Sequence, residues 1–249
     1  MAIETTTLED HPELLDPMNE IGGAAWPTFM LNDPVAIEHW MDIVDRFAAY
    51  QLILHESHDI LAIVNTVPIA FTDPLDSLPS EGVDWGVRRS LEDHEQQRTP
   101  NLLLGVQVVV PTQHAGKGLS SLATQAMLTL ATRHGLEGVL VPLRPSNKSA
   151  FPLIAMDAYC AWQNPDGLPF DNWLRVHVRL GGEILGICSK SMFIPGSIAD
   201  WEAWTGQPFP GSGAYVVPGA LNPVIVDHEQ DIGTYTEPNI WVYHRAAER

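Results

Sequence analysis

The sequence predicts an α/β fold with a mixed β-sheet at its centre. Two short apolar runs, Leu102–Val110 and Val139–Leu143, have the composition of buried strands. Between them, apolar residues recur at helical spacing from Leu119 to Ala131, and Gly135 supplies a helix end. A strand, a helix and a strand in succession, with more strand-like segments after them, indicate helices packed on a sheet.

Composition restricts the function. The chain has 249 residues, of which 45% are hydrophobic, enough for one large domain or two small ones. Its formal net charge of −18 argues against a duplex-DNA or nucleic-acid surface and against an anionic membrane surface. The charge is compatible with a cationic substrate, although a soluble acidic surface is the simpler interpretation. Two distant cysteines, no secretory pattern and no membrane-length apolar run predict a cytoplasmic protein.

The first half of the chain predicts these elements in order. Residues 1–25 are acidic and poorly patterned, which predicts a loosely held arm. A short strand is predicted at 26–30, and Asp33 with Pro34 predicts the capped start of a helix that continues to about Ala49. Strands at 51–55 and 60–71 form a predicted hairpin. The polar interval 72–101 is too long for an unstructured loop, so we expect a helix near 83–95.

The second half predicts a helix at about 150–162 and a strand at 173–179, where polar and apolar residues alternate. Ser197 and Asp200 predict a capping box that opens a short helix ending before Gly206. Late strands are predicted at 215–217, 224–226 and 240–243, and they allow a homodimer without requiring one. The predicted organisation is an N-terminal arm (1–25), a core (26–180) with an insert (72–101), and a C-terminal extension (181–249).

The loop between Pro111 and the helix at Leu119 has the composition of a phosphate-binding site. Glycine lets such a loop point consecutive main-chain N–H groups at an anion, and the helix dipole adds partial positive charge. A Walker A loop is excluded because Pro111 stands where its first glycine is needed, and Ser121 leaves a dinucleotide fingerprint incomplete. The pattern Gln-x-x-Gly-x-Gly after a Val-x-Pro strand end is matched in full by Gln113–Gly118.

This loop, with its flanking strand and helix, resembles the pyrophosphate loop of the GNAT superfamily of acyl-CoA-dependent N-acyltransferases. Asn147-Lys148-Ser149-Ala150 is similar to the Asn-x-x-Ala that often follows the fifth strand there, and the element order from 26 to 179 agrees. The resemblance implies a GNAT-like fold with a β-rich C-terminal extension, acetyl-CoA (coenzyme A) as co-substrate without a metal, and direct attack by an amine acceptor. The alternatives are a CoA-binding module without activity and a Rossmann-like nucleotide enzyme.

The resemblance also implies which residues bind the cofactor. The main chain of the first buried strand pairs with the pantetheine arm, which enters a splay between that strand and the next. An N–H near Val109 polarises the thioester carbonyl, the loop amides hold the pyrophosphate, and an asparagine binds the pantetheine amides. The residues are Val108, Val109, Val110, Gln113, His114, Ala115, Gly116, Lys117, Gly118, Leu119 and Asn147.

Departures from the superfamily pattern leave the catalytic residues unassigned. Ala115 replaces an arginine that is common in the loop, and Lys117 is a candidate for supplying that charge. Ile154 stands where a tyrosine often acts as general acid, and Tyr159 is a poor substitute because it lies roughly 140° further round a helix. Gln107 stands where a glutamate is common as base, and an amide cannot take up a proton.

Other motifs fail on spacing. His55 and His58 do not form a metal-binding pattern, so solvated histidines are the favoured interpretation. Gly211-Ser212-Gly213 does not satisfy the nucleophile elbow and predicts a turn. In the insert, Arg88 and Arg89 among acidic residues indicate a solvated helix face; the alternative is that the insert covers the acceptor groove as a lid.

Overall fold

The computed structural model describes residues 3–247, in which nine strands form one sheet. The strands are β1 Glu4–Thr7, β2 Gln51–Glu56, β3 Asp59–Ile69, β4 Leu102–Val109, β5 Gly138–Leu143, β6 Glu183–Gly196, β7 Gly213–Tyr215, β8 Val224–Asp227 and β9 Ile232–Arg245. Their order is β1-β2-β3-β4-β5-β9-β8-β7, and β6 also pairs with β9. The pair β4–β5 is parallel and its neighbours β3–β4 and β5–β9 are antiparallel, which confirms the predicted mixed sheet.

Helices cover both faces of this sheet. They are α1 Leu15–Ala25, α2 Pro34–Arg46, α3 Gly82–Glu95, α4 Leu119–Arg133, α5 Met156–Cys160, α6 Asn172–Arg179 and α7 Ile198–Thr205. Buried residues of α4, α5 and α6 share one apolar core, and those of α1, α2 and α3 share another. A third core lies around Trp201 of α7 and the fully buried Phe29 and Tyr235. The sheet therefore has a separate apolar core for each set of helices.

Local signals for helix starts and for the first hairpin are confirmed. Asp33 caps α2, because its Oδ2 accepts a hydrogen bond from the N–H of Ala36 at 2.8 Å. Ser197 and Asp200 form the predicted capping box of α7. The helix expected inside the insert is α3, and β2 pairs with β3 as the predicted hairpin. These elements are determined by residues close together in sequence, which explains why the sequence pattern predicted them.

Three local predictions are wrong. Residues 26–30 do not form a strand; Thr28–Asn32 is a 3-10 helix that buries Phe29 and Met30. Residues 173–179 are helical, because the carboxylate of Asp171 accepts hydrogen bonds from the amides of Trp173 and Leu174 and caps α6. The helix predicted at 150–162 is confined to α5, because the residue before a proline is disfavoured in the helical region and Phe151, before Pro152, is not helical.

The prediction of a loosely held N-terminal arm is also wrong. β1 pairs with β2 along the sheet edge, and Leu14, Leu15, Met18 and Ile21 pack into the core under α1. These apolar residues have helical spacing, but the acidic residues between them make the pattern weak, so the sequence did not indicate α1. The sequence did not predict the strand β6, because Gly186, Lys190 and Ser191 interrupt its apolar pattern. In the structure, pairing with β9 holds these residues in a strand. The boundaries of the three predicted domains stay predictions.

The parallel strands β4 and β5 separate towards their carboxyl ends. They pair at Leu102, Leu103 and Leu104 only, although β4 continues to Val109. On its other edge, β4 shifts register against β3 between Asn65 and Thr66, which leaves Val106 as an extra residue. Such a bulge bends a strand and increases its twist. The result is the splay expected between these strands, with the start of α4 following β4.

Candidate active site

The loop between β4 and α4 requires glycine for its backbone conformation. Gly116 and Gly118 have φ of +77° and +75°, in the left-handed region. A Cβ built at either position meets no atom within 4 Å, so conformation and not space makes glycine necessary. Gly118 is the N-cap of α4, and no side chain caps that helix start. The first amides of α4 are therefore left for another acceptor.

The hydrogen bonds of this loop divide its amides into two groups. The N–H of His114 donates to the carbonyl of Pro111 at 2.8 Å, and that of Ala115 donates to Thr112 at 3.1 Å. Within residues 3–247, the N–H groups of Gly116–Leu119 donate to no protein acceptor. Fewer main-chain N–H groups are therefore available to a pyrophosphate than predicted. His114 and Ala115 use theirs inside the loop, and the N–H groups of residues 116–119 are left without a protein acceptor in the described chain.

The side chain of His114 ties this loop to the β2–β3 hairpin. His114 is 6% exposed, and its Nε2 lies 3.3 Å from Oδ1 of Asp59. Its Nδ1 lies 3.3 Å from Nζ of Lys117, whose side chain is exposed. Lys117 thus places a positive charge on the solvent side of the loop. The role of His114 in the structure is to hold the loop in place.

A cavity of about 810 Å³ opens from the splay and continues beneath α1, α2 and α3. At the splay, its wall is apolar and consists of Gly105, Val106, Val108, Val110, Met127, Val141 and Leu143. At the far end, its charged residues are Asp33, Asp84, Glu237 and Arg144. One continuous cavity therefore joins an apolar entry beside the glycine loop to an end with three carboxyl groups and one guanidinium.

Arg144 is already engaged at that end. Its Nε donates to Oε1 of the fully buried Glu237 at 2.5 Å, and its Nη2 donates to the carbonyl of Gly219 at 2.6 Å. The hydroxyl of Tyr235 donates to the other carboxylate oxygen of Glu237. Arg144 and Glu237 neutralise each other, so the remaining charge at this end is that of Asp33 and Asp84.

The carboxyl groups of Asp33 and Asp84 share an environment with little positive charge. Burial is the main cause that raises the pKa of both, and the negative charge of Asp33 adds to the effect on Asp84. The pKa of Asp84 rises to about 8, while the exposed Arg88 opposes the shift. Carboxyl groups with displaced pKa values in a cavity are typical of functional sites.

Gln107 organises part of the cavity wall through hydrogen bonds at both atoms of its amide. Its Oε1 accepts from Nε1 of Trp26 at 2.7 Å, and its Nε2 donates to Oδ1 of Asn65 at 2.7 Å. Asn65 in turn donates to Oε1 of Gln51 at 2.9 Å. The ring of Trp26 lies 5.6 Å below the guanidinium carbon of Arg144. Gln107 is therefore a positioning residue, which agrees with the expectation that it cannot act as base.

The other residues singled out by sequence lie away from the cavity. Asn147 is absent from its wall, and its N–H donates to Oδ2 of Asp171 at 2.8 Å. Tyr159 is 1% exposed and donates its hydroxyl to the same oxygen at 2.8 Å; burial raises its pKa. Tyr159 therefore cannot replace a general acid. Ile154 packs on the core under α4.

Sequence reasoning missed the wall residues that α6 and α3 supply. Asn172, Trp173 and Val176 of α6 line the cavity beside the splay, where a strand was predicted. Asp84 was taken as part of a solvated helix face, but it is buried and lines the cavity. The capping carboxylate of Asp171 could have indicated α6. Nothing in the sequence around Asp84 indicates burial.

The described part of the chain shows neither a metal-binding cluster nor a membrane-spanning helix. Across residues 3–247, no group of three or more histidine, cysteine or acidic side chains is arranged to hold a metal ion. Over the same residues, each helix is too short or too polar to traverse a lipid bilayer.

Comparisons with known proteins agree with this architecture. No protein-family model matches the chain. The arginine N-acetyltransferase avaD of Aspergillus versicolor is 32% identical over 261 aligned residues, which cover 93% of this chain and 88% of that protein.

Two solved structures share the fold over nearly the whole chain. The loading GNATL domain of CurA from Lyngbya majuscula has a TM-score of 0.61 at 16% identity and covers 98% of each chain. The GphF GNAT-like decarboxylase, in complex with isobutyryl-CoA, has a TM-score of 0.59 at 16% identity and covers 98% of this chain and 99% of its own. At such identities these two structures show the fold alone. Together with the curated relative, they establish that this chain belongs to the GNAT superfamily of acetyl-CoA-dependent N-acetyltransferases.

Proposed function

We propose that this enzyme transfers the acetyl group of acetyl-CoA to the α-amino group of arginine or of a close arginine derivative. The observation that carries the proposal is the continuous cavity that runs from Val110 and Ser120, which flank the loop with the free amides, to the buried carboxyl groups of Asp33 and Asp84. The 32% identity to an arginine N-acetyltransferase supports the choice of acceptor.

The donor half of the site consists mainly of main-chain groups. The amides of Gly116, Lys117, Gly118 and Leu119 hold the pyrophosphate at the start of α4, with Lys117 adding positive charge. The edge of β4 at 108–110 has no strand partner on the β5 side and pairs with the pantetheine arm. The apolar wall of the splay then surrounds the end of the arm and keeps water from the thioester.

The predicted contributions of Gln113 and Asn147 are secondary. Gln113 is exposed at the outer side of the loop, where its side chain can reach a phosphate. Asn147 follows the end of β5, and it reaches the pantetheine amides only if it extends past Ser146, which does line the cavity. The N–H near Val109 stays the predicted donor to the thioester carbonyl.

The chemical step needs a neutral amine beside the thioester. Its nitrogen attacks the carbonyl carbon, and the tetrahedral intermediate collapses with loss of the CoA thiolate. The proton leaves the nitrogen as the amide forms, and the thiolate takes up a proton to give free CoA. Holding amine and thioester in one cavity supplies much of the rate by proximity.

The proposal is tested directly by incubating the enzyme with acetyl-CoA and arginine and measuring turnover. We expect the release of free CoA thiol to depend on arginine, and mass spectrometry to find the acetyl group on the α-nitrogen. Alanine at the same concentration is the matched control, since it offers an α-amine without a guanidinium. Binding of CoA without thiol release for arginine and every other amine would overturn the assignment and favour the module without activity.

A further inference from the structure

Two helices place a pair of buried carboxyl groups in the wall of the cavity. Asp33, at the start of α2, is 1% exposed, and Asp84, in the first turn of α3, is 6% exposed. Oδ2 of Asp33 accepts from the N–H of Ala36, and the main chain of Phe193 on β6 faces the carboxyl of Asp84. Oδ1 of each residue is buried and has no hydrogen-bond partner in the described structure.

Such an arrangement is costly unless a ligand compensates it. A buried carboxylate oxygen without a partner loses its hydration and gains nothing in return. The charged groups that face Asp84 are Asp33 from α2 and Glu81 and Arg88 from α3, while β6 presents the main chain of Phe193. Arg144, the cation in the cavity wall, is engaged by Glu237 and Gly219. Within residues 3–247, no cation forms an ion pair with either carboxyl group, and Arg88 acts on them only from its exposed position on α3.

We propose that Asp33 and Asp84 together bind the guanidinium group of the acceptor and so determine its specificity. This rests on the proposed function and names the residues that recognise its substrate. A guanidinium is a planar donor with five N–H groups, and it suits two carboxyl groups that each have a free oxygen. It stays protonated in proteins and is a poor nucleophile, so the α-amino group is the one that attacks.

Binding by this pair is coupled to a proton. Without a bound cation, Asp84 holds a proton at neutral pH, because burial and, after it, the negative charge of Asp33 raise its pKa to about 8. A bound guanidinium takes the place of that proton. The KM for arginine should therefore fall as the pH rises through about 8, and binding at neutral pH should release a proton.

Comparison of arginine with citrulline tests the proposal. Citrulline keeps the shape and the α-amine of arginine but carries a neutral urea group. For the wild-type enzyme we expect kcat/KM to favour arginine by about 100-fold. In Asp33→Asn and Asp84→Asn the preference should fall to within about fivefold, through a rise in the KM for arginine.

The variants are chosen so that folding does not decide the result. Asparagine caps a helix as well as aspartate does and can still accept from Ala36, and at position 84 it keeps the size and shape of the buried side chain. Glu81→Gln is the matched control, because it removes an exposed charge near the pair without touching the cavity wall. It should keep the full preference for arginine.

Calorimetry separates this proposal from the proposed function. Arginine and citrulline are titrated into the complex with CoA, in phosphate and in Tris, so that proton release is measured. Tighter binding of arginine with proton release, both lost in Asp84→Asn, supports the carboxyl pair even if arginine is never acetylated. Equal arginine binding by the wild type and both variants overturns the pair, even if arginine is the substrate.

Discussion

The two ends of the proposed site offer different kinds of group to a ligand. At the loop end, the groups aimed at a ligand are main-chain amides of residues 116–119, held by two glycines with positive φ. At the acidic end, they are side chains from elements far apart in sequence, Asp33, Asp84 and the Gln107 network. The loop end is formed by one short segment, whereas the acidic end exists only where α1, α2, α3 and β6 meet.

This difference explains how one fold serves a common donor and a particular acceptor. Main-chain amides depend little on side-chain identity, so the loop tolerates Ala115 in place of arginine. A single substitution changes a side chain in the cavity wall, and the specificity for the acceptor changes with it. The same difference predicts that damage to one end leaves the other intact.

The largest expected effect is at the loop end. Gly118→Asp adds a negative charge where the pyrophosphate binds and should weaken CoA affinity by about 100-fold or more. The fold should survive, because aspartate tolerates the left-handed region at φ +75° better than most residues. Titration calorimetry with CoA measures the loss.

Gly118→Asn is its matched control, since it imposes the same backbone strain without the charge. We expect a smaller loss of affinity for asparagine than for aspartate. CoA affinity that is the same for the wild type and Gly118→Asp would remove this loop from the site. Arginine binding should be unchanged in both variants, because the acidic end does not depend on the loop.

A fall in pH is expected to lower the stability of the whole fold, and so to affect both ends of the site together. His177 is fully buried, and Nδ1 of His177 lies 2.8 Å from Nε2 of His244. Burial, and then His244, lower the pKa of His177 from 6.5 to about 3. The unfolded chain takes up a proton below pH 6.5 and the folded protein does not, so stability falls as the pH falls from about 6.5 towards 3.

Urea unfolding measures this effect as a free energy. Between pH 7.5 and 5.5 His177 alone should cost about 1.4 kcal/mol of the free energy of unfolding. His177→Gln should show a shallower pH dependence than the wild type, whereas His58→Gln, which changes an exposed histidine, should keep it. An unaltered slope in His177→Gln would contradict the assignment.

The smallest effect is expected at the acidic end. Trp26→Phe removes the N–H that binds Oε1 of Gln107 and keeps an aromatic ring near Arg144. One lost hydrogen bond is worth about 1 kcal/mol, so the KM for arginine should rise about fivefold. CoA affinity should stay within about twofold of the wild type.

Trp204→Phe is the control, because that ring packs on Trp201 away from the cavity wall. Steady-state kinetics with varied arginine and, separately, varied acetyl-CoA provide both constants. If Trp26→Phe weakened CoA binding as much as arginine binding, the two ends would not be independent. The contrast drawn between main-chain and side-chain recognition would then be wrong.

Predictions from sequence succeeded where the determining residues are adjacent. Asp33 and Pro34, Ser197 and Asp200, and the glycine loop carry their own geometry, and each was located correctly. The strand predicted at 173–179 failed because Asp171 outside it decides the conformation. The arm failed for a similar reason: β2 and the core beneath α1 order a segment whose own pattern is weak. The predicted homodimer and cytoplasmic location stay predictions.

The sequence by itself determined the superfamily, the mixed sheet and the position of the glycine loop that is proposed to bind the donor, because strand patterning, capping and glycine backbone geometry are local properties. The tertiary structure decided that Asp84 faces a cavity, that Gln107 is engaged at both ends of its amide and that Tyr159 is buried on Asp171. Burial and charge neutralisation depend on which elements pack together, and no spacing along the chain contains that information.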